Sequence, residues 1–168
     1  MALPSWLRFE FLQWALPVAV TLHNLEEAIW LPSWADRHTV RLPWRVAAAR
    51  FRLALLLLTL AAYLVTWCSV QFAGQHGWTY LFIAYTFVVF LNVWVPHVPA
   101  SLLFRAYTPG VVTAVLLNLP VTGILLIAVF RKRLIPGGAT AVLVFGFPLG
   151  IAILFAVLFA DAYAHRGR

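Results

Sequence analysis

Long apolar runs, separated by short stretches rich in glycine, proline and charge, account for most of this chain of 168 residues. A helix needs about 20 apolar residues to cross the hydrocarbon core of a bilayer. The five runs of about this length extend from about Phe9 to Leu31, Arg50 to Phe72, Trp78 to Phe104, Pro109 to Phe130 and Ala139 to Ala162. The pattern predicts an all-α fold, a polytopic membrane helix bundle with five transmembrane helices in one domain, residues 1–168.

Composition supports a membrane location. Hydrophobic residues make up 64% of the chain and charged residues 10%, and the mean hydropathy is +0.92. A soluble domain is nearer half apolar and a quarter charged, so the excess apolar surface is expected to face lipid. The net charge of +7 lies in short clusters beside apolar runs, which argues for membrane orientation and against nucleic-acid binding. The single cysteine, Cys68, lies in an apolar run and is expected to be a buried thiol.

The basic residues predict an orientation. With five spans, one side of the membrane receives Arg8 and the cluster Arg131-Lys132-Arg133. The other side receives Arg37, Arg41, Arg45, Arg50, Arg52, Arg105, Arg166 and Arg168. Because cytoplasmic loops carry an excess of basic residues, the N-terminus is expected outside and the C-terminus in the cytoplasm, although the Arg131 cluster opposes this.

Charged side chains inside the first apolar run are the most informative feature. Glu26 and Glu27 follow His23 by three and four residues, and a charge at the bilayer centre costs roughly 2.5–3.5 kcal/mol on insertion scales. On a helix, Glu26 lies about 60° to one side of His23 and Glu27 about 40° to the other. Two carboxylates and an imidazole therefore converge on one face, which suits either a metal ion or proton transfer.

Polar residues of two further runs lie at a similar depth. Counted from the cytoplasmic ends of their spans, His23 lies about 12 Å deep, His97 about 10 Å, Asn92 about 18 Å and Asn118 about 13 Å. This agreement predicts a common polar cavity. An ideal helix would point Asn92 and His97 about 140° apart, but Pro96 can disturb that geometry.

Asn118, Arg105 and Tyr107 are the candidate substrate-binding residues. Asn118 lies at the depth of the predicted cavity, and Arg105 directly follows the third apolar run. Arg105 suits the headgroup level or an anionic substrate group. Tyr107 begins the sequence Tyr107-Thr108-Pro109-Gly110, which punctuates the chain before the fourth run.

At His23-Asn24-Leu25-Glu26-Glu27 the chain resembles the HXXEE family of small bacterial multi-span membrane proteins. Asn92, His97 and the sequence Tyr107-Thr108-Pro109-Gly110 are similar to that family's pattern, and the resemblance extends from about Val18 to Pro120. It implies a bacterial inner-membrane protein with a site at these residues, and it implies no particular reaction.

Three hypotheses follow. The leading one is a metal-dependent enzyme that binds zinc, iron or manganese through His23, Glu26, Glu27 and His97, with Asn92 as a further ligand or a supporting group. Its catalytic residues would be Glu26 and Glu27, and its substrate a lipid-like or hydrophobic small molecule. The second is a metal-free acid–base isomerase of a sterol- or isoprenoid-like molecule. The third is a non-enzymatic carrier or ligand-binding protein. The expected partners are the bilayer and a hydrophobic small molecule, with self-association left open.

Overall fold

The structure, a computed structural model, describes residues 9–38 and 48–135. Those residues are helical, without any strand among them. A single turn, α1 (Phe9–Leu12), precedes four long helices: α2 (Ala15–Arg37), α3 (Ala48–Gln71), α4 (His76–Phe104) and α5 (Val111–Arg131). The fifth predicted span and most of the arginine-rich connection after α2 lie outside the described residues.

Three of the described helices, α3, α4 and α5, are long and apolar enough to cross a membrane. Their bounds agree with the predicted spans to within two residues, because uninterrupted apolar runs set both. The first predicted span differs: α2 begins at Ala15 and ends at Arg37, six residues later at each end than predicted. Helical hydrogen bonding does not require apolar side chains, so α2 continues past Leu31 into Asp36 and Arg37. The described residues therefore support three spans rather than five.

The four long helices close into a bundle. In it, α2 packs against α3, α3 against α4, α4 against α5, and the first half of α5 against α2. Leu16, Val20, Phe82, Leu125 and Val129 form part of its apolar core. Large apolar side chains also cover the outside, and a surface of this kind is suited to lipid. Three polar side chains of α2, those of His23, Asn24 and Glu26, are buried inside the bundle.

Two wide helical turns interrupt the bundle helices. In α4, the turn at Val93–His97 is kinked, because Val95 leaves the helical region (φ −147°, ψ 109°). Pro96 has no N–H to donate to the preceding turn, which accounts for the break. In α5, residues Ala114–Asn118 form a π-helical turn. Such turns occur frequently at functional sites, and these two place His97 and Asn118 in the bundle interior.

Candidate functional site

A cluster of three side chains from two helices lies inside the bundle. His23 and Glu27 are one turn apart on α2, and His97 comes from the broken turn of α4. The Nε2 atom of His97 is 3.6 Å from Glu27 Oε1, and the Nε2 atom of His23 is 4.0 Å from Glu27 Oε2. One potential ligand atom from each residue lies within 4.8 Å of the other two. Both imidazoles are only 3% exposed, so any group bound here would be shielded from solvent.

Asn92 joins the two histidines. Its Nδ2 atom is 3.2 Å from His23 Nε2 and 3.1 Å from His97 Nε2. The break at Val95 makes this contact possible, since a regular helix would point Asn92 and His97 apart. With the amide in this orientation, Asn92 donates to both Nε2 lone pairs, which requires that both rings carry their protons on Nδ1. A half-turn of the Asn92 amide would present its oxygen there instead.

Glu26, the other glutamate of the motif, has different surroundings. It accepts hydrogen bonds from the Tyr107 hydroxyl (2.6 Å), the Gly110 backbone N–H (3.0 Å), and both the backbone N–H (3.0 Å) and the hydroxyl of Thr113. These donors lie at the start of α5, where free N–H groups and the helix dipole favour a negative charge. The Tyr107 side chain is about half exposed, and its hydroxyl reaches inward to donate to Glu26.

Thr113 links the two halves of the site. Its hydroxyl donates to Glu26, so it accepts from the Nδ1–H of His23 at 3.0 Å. A histidine that donates one ring N–H to an outer partner has its other nitrogen fixed as a lone-pair donor. The chain Glu26–Thr113–His23 therefore orients the His23 ring toward the cluster.

Gly110 allows the start of α5 to approach the cluster. Its φ is +92°, which side chains other than hydrogen strongly disfavour. A Cβ atom here would lie 2.6 Å from His97 Cε1 and 3.0 Å from Glu27 Cγ. The sequence Tyr107-Thr108-Pro109-Gly110 therefore does more than begin a helix, since it also receives Glu26 and leaves room for His97.

A cavity of about 100 Å³ borders the cluster. Its polar lining comes from His23, Asn92, Asn24, Tyr85 and Asn118. The structure thus places His23, Asn92 and Asn118 around one cavity, with His97 in the adjoining cluster. Their similar predicted depths in the membrane had grouped these four residues. Asn118 is fully buried there.

The remaining sequence candidates lie elsewhere. The Arg105 side chain is exposed at the end of α4, and no contact of it with the cluster is found within residues 9–38 and 48–135. Tyr107 contacts Glu26 rather than the cavity. Sequence analysis missed Thr113 and Gly110. The signal for Gly110 was its place in a turn before a helix, whereas Thr113 carried no signal without its distant partner on α2.

These features define a class: a helical membrane protein with a histidine–glutamate centre buried between its helices. The chain belongs to the HXXEE family, as the sequence indicated, because the family described as "Protein of unknown function with HXXEE motif" matches residues 14–125. That range includes every residue of the cluster. A relative in Bacillus subtilis (strain 168), "Uncharacterized protein YrkK", is 33% identical over 117 residues, which are 70% of this chain and 73% of the relative. No solved structure gives a significant match.

Proposed function

We propose that this protein is a membrane-embedded metalloenzyme in which His23, Glu27 and His97 bind one divalent ion. The observation that carries the proposal is the convergence of a nitrogen from each of two histidines and a carboxylate oxygen within 4.8 Å of one another inside the bundle. The Glu27 carboxylate adds a negative charge next to the Nε2 atoms of both imidazoles, and a divalent ion would balance that charge inside the bundle. Two nitrogens and a carboxylate also match the ligand set of known catalytic zinc sites.

The spacing of the side chains suits such an ion. Ligand atoms about 2.0–2.1 Å from a tetrahedral zinc lie about 3.3–3.4 Å from one another. The Glu27 oxygens lie 3.6 Å from His97 Nε2 and 4.0 Å from His23 Nε2, a little more than that value. Asn92 is positioned as a fourth ligand through its oxygen, or as the group that a substrate displaces. Zinc fits best, and iron and manganese accept the same ligands.

A bound ion would polarise a substrate oxygen or activate water. In this proposal Glu27 serves as a ligand. Glu26, expected from sequence to ligate and catalyse, instead positions His23 through Thr113, because donors at the start of α5 occupy both its oxygens. The cavity beside His23 and Asn92 provides space for the reacting end of a substrate.

The proposed substrate is hydrophobic and lipid-like. An apolar groove of about 460 Å³ runs along α2 and α5, with Leu22, Leu25 and Ile29 in its wall and Glu26 and Tyr107 at its edge. Such a groove would suit an alkyl or isoprenoid chain entering from the bilayer.

The five-span topology, the bacterial inner membrane and the outside N-terminus are part of the same proposal, supported by the hydropathy and basic residues of the sequence.

A metal-free acid–base isomerase is the second candidate. One observation favours it: the two adjacent carboxylates have unlike surroundings. Glu26 accepts four hydrogen bonds, whereas the polar contacts of Glu27 with described residues are with the two imidazoles. Carboxylates in contrasting environments can divide into an acid and a base.

Elemental analysis separates the two candidates. The wild type, purified in mild detergent without chelator, is compared with a His23→Ala, Glu27→Ala double variant and with His76→Ala, whose exposed histidine lies outside the cluster. We expect near-stoichiometric metal in the wild type and in His76→Ala, and none in the double variant. Absence of metal from all three, even after reconstitution with zinc, iron and manganese, would reject the metalloenzyme and leave the acid–base site.

A further inference from the structure

Asn118 is a buried amide without a hydrogen-bond partner. Its side chain is fully buried, and neither its Nδ2 nor its Oδ1 atom makes a hydrogen bond with a described residue. Burying an amide without partners is unfavourable, and native proteins seldom leave both atoms unpaired. Asn118 is also one of the residues that line the cavity beside the cluster.

The other amide and phenol groups of the cavity wall are already engaged. Asn24 donates to the Leu55 carbonyl and to Thr59, and the Tyr85 hydroxyl donates to the Leu58 carbonyl. Asn92 is occupied with the two histidines. Within the described part of the chain, Asn118 is thus the lining side chain that offers a ligand both a free donor and a free acceptor.

The cavity walls restrict the ligand. Val20, Leu58 and Val89 line it with apolar surface, and among the described residues His23 is the only lining side chain that is acidic or basic. A charged ligand end would therefore lose its hydration without a countercharge. A hydroxyl group suits Asn118 because it can accept from Nδ2 and donate to Oδ1, whereas a carbonyl would leave Oδ1 unpaired. A volume of about 100 Å³ exceeds what one water requires, so it can hold the end of a longer molecule.

We propose that this cavity binds the hydroxyl end of a neutral, apolar alcohol, and that Asn118 is the residue that recognises it. This inference deepens the proposed function by naming the substrate class, and it rests on that function only for the turnover of the alcohol. Binding itself requires the cavity and Asn118 alone. It can therefore be tested on protein from which metal has been removed.

The test compares two probes that differ only in the hydroxyl group: 6-fluorohexan-1-ol and 1-fluorohexane, each followed by fluorine NMR at matched concentration in the same micelles. We expect chelator-treated wild type to bind the alcohol about tenfold more tightly than the alkane, which corresponds to two modest hydrogen bonds. In Asn118→Leu the preference should fall to about one. Ser69→Ala is the matched control, since Ser69 is another buried, unpartnered polar residue but does not line the cavity.

Thermal unfolding of the probe-free proteins separates recognition from a structural role. Leucine is close to asparagine in size and has no polar atoms to leave unpaired, so Asn118→Leu should unfold at the same or a higher temperature than the wild type. A lower Tm would overturn the proposal, because Asn118 would then have a structural partner. Equal binding of both probes by the wild type would also overturn it. Because the probes are tested without metal, neither result depends on whether the cluster binds an ion.

Discussion

At the scale of single residues, the two adjacent glutamates of the HXXEE motif have separate tasks. Glu27 faces the two imidazoles, whereas Glu26 turns to the start of α5 and accepts four hydrogen bonds. Neighbouring helix positions differ by about 100°, so adjacent side chains can serve different neighbours. A motif with two consecutive glutamates is therefore consistent with one ligand and one positioning group.

Substituting each glutamate in turn tests this division. Glu27→Gln removes the negative ligand and should abolish stoichiometric metal with little loss of stability. Glu26→Gln replaces one carboxylate oxygen by an NH2 group, which faces two of the four donors. One buried group without a partner costs about 1–3 kcal/mol of unfolding free energy. We expect that variant to be destabilised, as measured by thermal unfolding, and to retain metal at saturating concentrations. The division is wrong if Glu26→Gln loses metal at saturation while Glu27→Gln retains it.

Thr113 allows a finer test of how His23 is oriented. Thr113→Val keeps the shape of the side chain but removes the hydroxyl between His23 and Glu26. Loss of an outer partner of a ligating histidine typically weakens metal binding 10–100-fold, and we expect about that change in a zinc competition titration. Thr113→Ser should restore affinity. Thr122→Val is the matched control, because the Thr122 hydroxyl bonds only to backbone carbonyls of its own helix region. Unchanged affinity in Thr113→Val would contradict the orienting role.

At the scale of elements, the broken turn of α4 brings the site together. Asn92 and His97 would diverge on a regular helix, yet both contact the same region because Val95 leaves the helical conformation. The break follows from Pro96, whose missing N–H and bulky ring prevent a regular turn. The kinked backbone of α4 therefore determines where His97 lies. The position of His97 in the sequence alone does not.

Pro96→Ala tests this dependence on the backbone. Alanine allows the turn to close, so His97 should rotate away from Asn92. We expect zinc affinity to fall by at least the roughly 10–100-fold caused by losing an outer partner. Pro99→Ala is the control, because Pro99 lies in the first turn after the break, where proline suits a helix. Equal affinity in the two variants would show that the proline is not needed for the site.

The parts that sequence could predict are those with local causes. The bounds of α3 to α5 follow from apolar length, and His23 and Glu27 share a face because helical spacing places them one turn apart. The orientation of Glu26 depends on donors more than 80 residues away along the chain, and no local pattern encodes that. Predicting the contact between Asn92 and His97 required the size and direction of the kink in α4. Pro96 indicated only that a kink exists.

At the scale of the whole molecule, α2 combines two roles that conflict in a membrane. It carries the His23–Glu27 cluster and also presents Leu22, Leu25 and Ile29 on the outside, each about half exposed. Its charges keep it out of the group of three helices that are apolar enough to span a membrane on their own. In the bundle, however, Glu26 and Glu27 are covered by α4 and α5. Once α3 to α5 are in the bilayer, α2 can therefore lie across it with its apolar face toward lipid.

Cysteine labelling tests whether α2 is embedded. In a Cys68→Ala background, Leu25→Cys is placed on the outer face of α2, and Gln75→Cys in the exposed connection between α3 and α4 serves as the control. A membrane-impermeant maleimide, applied to membranes opened to expose both surfaces, should label Gln75→Cys and leave Leu25→Cys unlabelled until detergent is added. Labelling of both positions before detergent would put α2 outside the hydrocarbon core. The cluster would then lie at the membrane surface, and the proposed entry of a lipid-like substrate along the groove between α2 and α5 would fail with it.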